Sequence, residues 1–563
     1  MSWIYGVLQK KGILNANFKL KEECRSLERK NFYLALDKQS YLLTSEENNI
    51  EAVIGVPIVT FNSKKIILTE KNLNSITTIT PNELDGHFIH LKFENEKLKI
   101  QNDIFGLRDL YFINSKEQFI FSSRIDLLAK HLKKLSLKSA NFSSLWLTNF
   151  QLSHNSILNE IQRLGPGGKI LIDKNQINIH NNKFKKIGSI QNPKEIFQNL
   201  LSEFCLIQSE YDKSSLGLSG GIDSRIVLSF LLKEKDNFVC HSILNEEDKD
   251  LKVSKEICEK LNIELNLIER EKINLTDYEN DILNFYQNIS PVIPLTQLLD
   301  FGIFGVNYLK NYLILDGGFG GFFRGQYLKK IRLQGYEKFN LDNWQNVKKN
   351  LYAPKPKIFN KDFISILERD LDESVIRFME KFGNLKSNEE MLEVLDLIAV
   401  HFMLSNIYNP GQTILDQKFN AFMPLAQKEV INTGMNISFK AKVDSKYFKN
   451  IIKNNNQLLS KIGLVNNNLE NPYWLNYKFV MLRLLLSRKF SKKNNFERYK
   501  ILYNSKEYIL DLLSQKSTKE NIYLNSKVNG KFAKEFFKGD LSKGYFIDWL
   551  LAFILWYRAN NLG

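Results

Sequence analysis

The segment that most constrains the fold of this chain is a glycine-rich loop between an apolar strand and a helix. It occupies residues 216–227, with the sequence LGLSGGIDSRIV. Two further strands follow, at residues 238–243 and 263–269, with a helix at 251–261 between them. Strand, helix, strand, helix and strand in succession predict a parallel sheet with crossover helices.

The residues of this loop suit a phosphate group. Gly220 and Gly221 let the backbone approach an anion closely, and free N–H groups at the helix start favour negative charge there. The hydroxyls of Ser219 and Ser224 are additional donors, whereas the Asp223 carboxylate suits Mg²⁺ better than phosphate. The loop matches neither G-x-x-x-x-G-K-[ST] nor G-x-G-x-x-G. The predicted binding residues are Leu218, Ser219, Gly220, Gly221, Ile222, Asp223 and Ser224.

The pattern of the chain changes near residue 185. Earlier residues show strands and turns, for example at 51–61 and 87–93. Later residues begin with a helix for which Asn192 is the predicted cap, and beyond residue 340 the pattern is mostly helical. These features predict a combination of α/β and α+β structure.

Length and composition limit the alternatives. With 563 residues, the chain is too long for one compact core, and we expect one domain over residues 1–185 and another over 190–563. The net charge of +16 admits a nucleic-acid partner, but the lysines are spread along the whole chain. None of the four cysteines forms a C-x-x-C pair, which disfavours a zinc or redox site. We see no signal peptide, and the apolar stretch at 549–556 is too short to cross a bilayer.

Residues 219–224 resemble the S-G-G-x-D-S loop of the N-type ATP pyrophosphatases, which cleave ATP between the α- and β-phosphates. Several other segments are similar, in the same order, to the class B asparagine synthetases. These segments are SWIYG at 2–6, LDGHF at 84–88, DIFGLRDLYF at 103–112, FSS at 121–123, GPGG at 165–168, PLAQK at 424–428 and the apolar segment at 551–558.

The resemblance implies a fold and a chemistry. An N-terminal-nucleophile (Ntn) hydrolase-like layered β-domain would precede a pyrophosphate-loop (PP-loop) domain with a parallel sheet and a helical C-terminal part. The PP-loop domain would bind ATP and Mg²⁺, with Asp223 as a metal ligand. It would activate a carboxylate as an acyl adenylate.

The N-terminal part departs from that family at its nucleophile. Active glutaminases of the family use an N-terminal cysteine, and the corresponding residue here is Ser2. A hydroxyl is harder to activate than a thiol. The glutamine-binding segments R-G-P-D and N-G-E-I-Y-N have no match in the chain. We therefore expect Ser2 not to act as a glutaminase nucleophile.

A second glycine-rich loop departs as well. Residues 315–325, LDGGFGGFFRG, lie where the family has S-G-x-G-A-D-E-x-F-G-G, and Gly321 and Phe322 replace its two acidic residues. Asp316, just upstream, is predicted to substitute for these acidic residues as a metal-side or phosphate-side group. Gly317 and Gly318 are predicted to contact ATP. The family lysine that stabilises the adenylate has no counterpart at its place, and nothing in the spacing selects Lys461 or Lys489 instead.

These observations predict an ATP-dependent, amide-bond-forming ligase. Its partners would be a small-molecule or peptide carboxylate and an amine, and ammonia could serve as the amine. The alternatives are an intramolecular cyclase of the β-lactam synthetase or lasso-peptide type, a nucleotide-binding scaffold without catalysis, and a tRNA-modifying enzyme, which the N-terminal resemblance disfavours. We expect a cytoplasmic protein without membrane or nucleic-acid partners, as a monomer or a homodimer.

Overall fold

The structure is a computed structural model. It describes residues 2–562 apart from 13, 15–18, 21–22, 39, 47–48, 71–82, 174–175, 183, 245–247, 270–273, 291–292, 303–305, 354 and 491–495. The strands are β1 Ile4–Gln9, β2 Arg25–Glu28, β3 Phe32–Leu36, β4 Tyr41–Glu46, β5 Asn49–Phe61, β6 Lys64–Ile67, β7 Asp85–Glu94, β8 Lys97–Asn102, β9 Tyr111–Asn114, β10 Gln118–Ser122, β11 Gln162–Arg163, β12 Gly168–Asp173, β13 Gln176–Asn181, β14 Ser214–Gly217, β15 Phe238–Ile243, β16 Leu265–Ile268, β17 Leu313–Leu315, β18 Ala421–Phe422, β19 Leu464–Asn466 and β20 Leu469–Asn471.

The α-helices of the described chain lie mostly after residue 185, with two before it. They are α1 Ile125–Ala129, α2 Ser139–Thr148, α3 Pro193–Cys205, α4 Ile222–Leu231, α5 Lys249–Leu261, α6 Glu279–Asn288, α7 Leu295–Gly302, α8 Val306–Leu309, α9 Gly320–Phe323, α10 Lys329–Gln334, α11 Trp344–Leu351, α12 Lys361–Glu380, α13 Asn388–Ile398, α14 Asn409–Asp416, α15 Lys428–Met435, α16 Phe439–Lys442, α17 Lys446–Asn455, α18 Tyr477–Phe490, α19 Phe496–Asn504, α20 Lys506–Ser514, α21 Lys516–Lys519, α22 Ser526–Phe537 and α23 Gly544–Ala559. Ala399–Tyr408 joins α13 to α14 as a π-helix.

Two antiparallel sheets form the N-terminal part. One has the strand order β11-β9-β10-β1-β3-β2, and the other has the order β13-β12-β8-β7-β5-β4 with β6 beside β5. Alternation along β1 explains the layering, since successive side chains of a strand point to opposite faces. Ile4 and Leu8 join a buried cluster with residues of the second sheet, whereas Tyr5 and Val7 pack with residues of α1 and α2. The predicted layered β-structure is therefore present.

The glycine loop belongs to a parallel sheet, as predicted. The strands expected directly before the glycine loop, at 238–243 and at 263–269 correspond to β14, β15 and β16, and the short strands β17 and β18 complete the order β16-β15-β14-β17-β18. All four pairings are parallel. The order reverses between β14 and β17, and ligands of open α/β sheets bind at such a point, beyond the carboxyl ends of the strands.

The prediction that Asn192 caps α3 is wrong, because its side chain does not bind the helix N-terminus. Asn192 does precede the helix, but its φ is +50° and its side chain makes no capping hydrogen bond. Pro193 fixes the first helical position instead, because its ring sets a helical φ and its missing N–H needs no partner there.

Two apolar helical stretches lie inside the fold. Helix α23 is buried along most of its length. The helical run Asn388–Asp416 is long and apolar enough to cross a membrane by length and composition, but 61% of its most apolar window is buried inside the protein. That burial is what a core helix shows.

Candidate functional site

The first glycine loop lies at the carboxyl end of β14, where the sheet order reverses. Gly221 is extended, with φ −77° and ψ 173°, and directly precedes α4. Gly220 contacts β19: its carbonyl accepts from the Val465 N–H at 2.9 Å, and an added Cβ would lie 2.4 Å from Val465 Cγ2. Ile222 is buried, and the Leu218 N–H donates to the His241 carbonyl. The predicted loop is therefore part of the parallel-sheet unit.

Backbone N–H groups of this loop donate to side chains. The Ser219 N–H donates to Ser224 Oγ at 3.1 Å, and the Gly221 N–H donates to Ser219 Oγ at 3.2 Å. The Gly220 N–H donates to Asp250 Oδ1 at 2.8 Å, and burial raises the pKa of Asp250. The Asp250 carboxylate thus accepts a hydrogen bond from an N–H group that could otherwise donate to a phosphate oxygen. An anion bound here must exchange with it.

The second glycine loop packs directly against the first. It follows β17, the neighbour of β14. An added Cβ at Gly317 would lie 2.6 Å from the Asp223 carbonyl carbon, and one at Gly320 would lie 2.3 Å from Asp223 Oδ1. Only residues without a side chain permit this approach. The structure therefore brings together the two loops that the sequence singled out separately.

The acidic residues of this second loop are few. Asp316 is exposed, and its Oδ1 accepts from the Gly318 N–H at 2.9 Å. Aligned residue by residue, the two acidic positions of the family fall at Gly320 and Gly321 and not at Gly321 and Phe322. Both glycines are buried in α9, where the Phe322 ring stacks on Phe319 at 5.0 Å.

Asp223 forms an ion pair with Arg324. Arg324 Nη2 lies 2.5 Å from Asp223 Oδ2, and Asp223 Oδ1 is buried without a hydrogen-bond partner in the described part of the chain. Burial raises the pKa of Asp223, and Arg324 partly offsets that shift. The magnesium role of Asp223 stays a prediction, but this donor set does not fit a protein-bound Mg²⁺. One oxygen is committed to a guanidinium, and the other faces Gly320 inside the protein.

A small cleft of about 50 Å³ opens beside the two loops. Ile222, Val465 and Arg324 form its inner wall, and Lys329, Lys449 and Asp444 contribute the other charges. Lys449 Nζ donates to the Leu475 carbonyl at 2.9 Å, and burial lowers the pKa of both lysines. The cleft wall therefore carries three cationic side chains and one carboxylate.

Of the two lysines named from the sequence, Lys461 does not line this cleft. Lys461 is exposed in the turn Leu459–Lys461, and the side chain of Lys489 lies outside the described residues. Sequence reasoning missed Arg324, Lys329 and Lys449. Arg324 lies in the second glycine loop, but at a position where the family has glycine. Neither lysine lies in a recognised motif, and Lys449 reaches the cleft only because α17 packs against α4.

Ser2 is buried, with 5% of its surface exposed. Its hydroxyl oxygen accepts from the Gly55 N–H at 2.8 Å, and its own N–H donates to the Asp416 carbonyl at 3.1 Å. A nucleophile must reach its substrate, and this serine is instead engaged in holding the backbone together. The prediction that Ser2 is not a glutaminase nucleophile is compatible with this environment.

Comparisons with known proteins give no family. The chain matches no protein-family model and no curated protein. One similar structure is the glutamine phosphoribosylpyrophosphate (PRPP) amidotransferase from B. subtilis complexed with ADP and GMP. It is 11% identical, with a TM-score of 0.19 over 47% of this chain and 59% of that chain. A second is described as the allosteric regulatory enzyme of purine biosynthesis. It is 10% identical, with a TM-score of 0.19 over 38% of this chain and 54% of that chain. The chain thus spans little more than half the length of either structure, and TM-scores this low support no conclusion about fold or function.

Proposed function

We propose that this chain is an ATP-dependent ligase that forms amide bonds. The observation that carries the proposal is the meeting of two glycine loops at the switch point of a parallel sheet, beside a cationic cleft. The sheet edge offers a helix N-terminus, the glycines allow close backbone approach, and Arg324, Lys329 and Lys449 supply positive charge. This combination suits a nucleoside triphosphate better than an uncharged ligand.

The proposed reaction has two steps. A carboxylate oxygen of the substrate attacks the α-phosphorus of ATP, and pyrophosphate leaves with the bonding electron pair. An amine nitrogen then attacks the acyl carbon of the adenylate, AMP leaves, and the nitrogen loses a proton. The cationic cleft stabilises negative charge on the phosphates. Because Ser2 is buried, the amine comes from free ammonia or from the substrate itself, as in an intramolecular cyclase.

A nucleotide-binding scaffold without catalysis is the second candidate. Gly320 and Gly321 stand where the family has two acidic residues and are buried in α9, which favours it, because neither glycine has a side chain that could bind a metal or transfer a proton. The N-terminal sheets, in either case, serve as an Ntn-like domain without glutaminase activity.

Exchange of labelled pyrophosphate into ATP, measured with a panel of carboxylates, tests the ligase. We expect exchange with at least one carboxylate and its loss in Gly221→Val. An added Cβ at Gly221 meets only Ser219 Oγ, at 3.2 Å, so the variant should fold. Gly530→Val is the matched control, since nothing lies within 4 Å of an added Cβ there.

Each other outcome has a clear meaning. ATP binding without exchange by any carboxylate would favour the scaffold. Exchange that survives Gly221→Val unchanged would mean that the loop is only a structural turn, and the ligase proposal would fall.

A further inference from the structure

Arg324 lies where a metal ion was expected. It follows α9 in the second glycine loop, and its Nη2 lies 2.5 Å from Asp223 Oδ2. The Arg324 side chain is 13% exposed and that of Asp223 is 29% exposed. The pair is therefore partly withdrawn from water, where an arginine fork and a carboxylate bind each other well.

The surrounding residues favour this cation over a divalent one. Mg²⁺ is usually held by one or two carboxylates together with substrate phosphates. Here one Asp223 oxygen is taken by Arg324, and the other is buried against the backbone of Gly320. A divalent ion beside Asp223 would also face repulsion from the guanidinium.

Arg324 is part of a charged wall. It lines the cleft together with Lys329 and Lys449, and Asp444 is the carboxylate among these lining residues. Phosphate binds well to arginine, because the planar guanidinium presents several donors to its oxygens and stays charged at any ordinary pH. Lysine adds compact positive charge nearby. The wall thus has the charge needed to face a polyphosphate.

We propose that Arg324 takes the place of a protein-bound divalent cation and contacts the phosphates of ATP directly, with Asp223 holding its guanidinium in position. The inference rests on the proposed function, because it concerns the same nucleotide site. It assigns the site a cation of its own, so that ATP binding does not depend on magnesium. Asp223 is then a positioning residue.

Calorimetric titration with ATP, in EDTA and in excess Mg²⁺, tests this proposal. We expect the wild-type chain to bind ATP in both buffers. Arg324→Gln should weaken binding about tenfold or more in both, as expected for lost charged hydrogen bonds. Arg324→Lys keeps the charge without the fork and should weaken it less. Arg377→Gln, at an exposed arginine on α12, is the matched control and should change nothing.

Asp223→Asn separates the two roles of this aspartate. If Asp223 positions Arg324, the variant loses affinity for ATP by the same factor in EDTA and in Mg²⁺. If Asp223 holds Mg²⁺, the variant loses affinity in Mg²⁺ alone, which would overturn the proposal.

The remaining outcomes also distinguish the hypotheses. Binding that requires Mg²⁺ and is unaffected in folded Arg324→Gln and Arg324→Lys chains would overturn the role of Arg324, while the ligase proposal would stand. If ATP binds neither in EDTA nor in Mg²⁺, both proposals are overturned.

Discussion

Arg225, the residue directly after the glycine motif, is fully buried. Its guanidinium donates to the carbonyls of Gly220, Leu459, Ile462 and Gly463, at 2.7–3.2 Å. Arg225→Leu would leave these carbonyls without that donor, and an unsatisfied buried polar group costs about 1–3 kcal/mol. We expect the free energy of unfolding in urea to fall by about 3 kcal/mol or more.

The control for this prediction is Arg369→Leu on α12. Arg369 is 68% exposed and, within the described part of the chain, pairs with its neighbour Asp370, so its loss should change the unfolding free energy by about 0.5 kcal/mol or less. Equal losses in the two variants would contradict a tethering role for Arg225.

Single residues divide clearly into those that sequence could and could not identify. Asp223 and Asp316 follow strands in glycine-rich loops, and that local pattern was enough to select them. Arg225 could not be given a role, because three of its partners lie more than 230 residues away. Arg324 was hidden for the same reason, since only the packing of two loops places it beside Asp223.

At the level of elements, strand β15 places His241 beside the glycine loop. His241 Nδ1 lies 2.8 Å from Ser215 Oγ on β14, and burial lowers the pKa of His241 from 6.5 to about 4. Between those pH values the unfolded chain binds a proton that the folded chain does not, so stability falls as the pH falls. His241→Asn should therefore lose less stability than the wild type between pH 7.5 and pH 5.

Urea denaturation at the two pH values measures this difference. His180→Asn is the control, because His180 is exposed on β13, and its pH dependence should follow that of the wild type. A wild-type pH dependence that persists in His241→Asn would show that other groups are responsible.

Prediction of elements succeeded where segments were long. Strands β14, β15 and β16 have four to six residues, with a helix between each successive pair, and this alternation of strands and helices indicates crossovers. Strands β17 and β18 have three and two residues, too short for any periodicity to be visible. The strand order, and with it the position of the switch point, depends on those two strands and therefore came only from the structure.

Over the whole molecule, the N-terminal sheets and the helical part share one apolar core and a buried polar network. Asp416 at the end of α14 accepts from Gln412 Nε2 at 2.9 Å, lies 3.1 Å from His87 Nε2, and pairs with Arg108. Burial alone would raise the pKa of Asp416, but Arg108 and His87 outweigh it, and the net shift is downward. The network joins residues more than 300 positions apart, which a sequence pattern does not reveal.

Asp416→Asn tests how far this network holds the two parts together. The substitution preserves the side-chain shape but leaves Arg108 as a buried charge without its counter-ion, which typically costs about 3–5 kcal/mol. We expect a large fall in the calorimetric melting temperature. Glu373→Gln, at an exposed pair with Arg377 on α12, should change stability by about 1 kcal/mol or less. If the two variants melt alike, the shared apolar core alone holds the N-terminal sheets against the helical part, and the buried charges contribute no net stability.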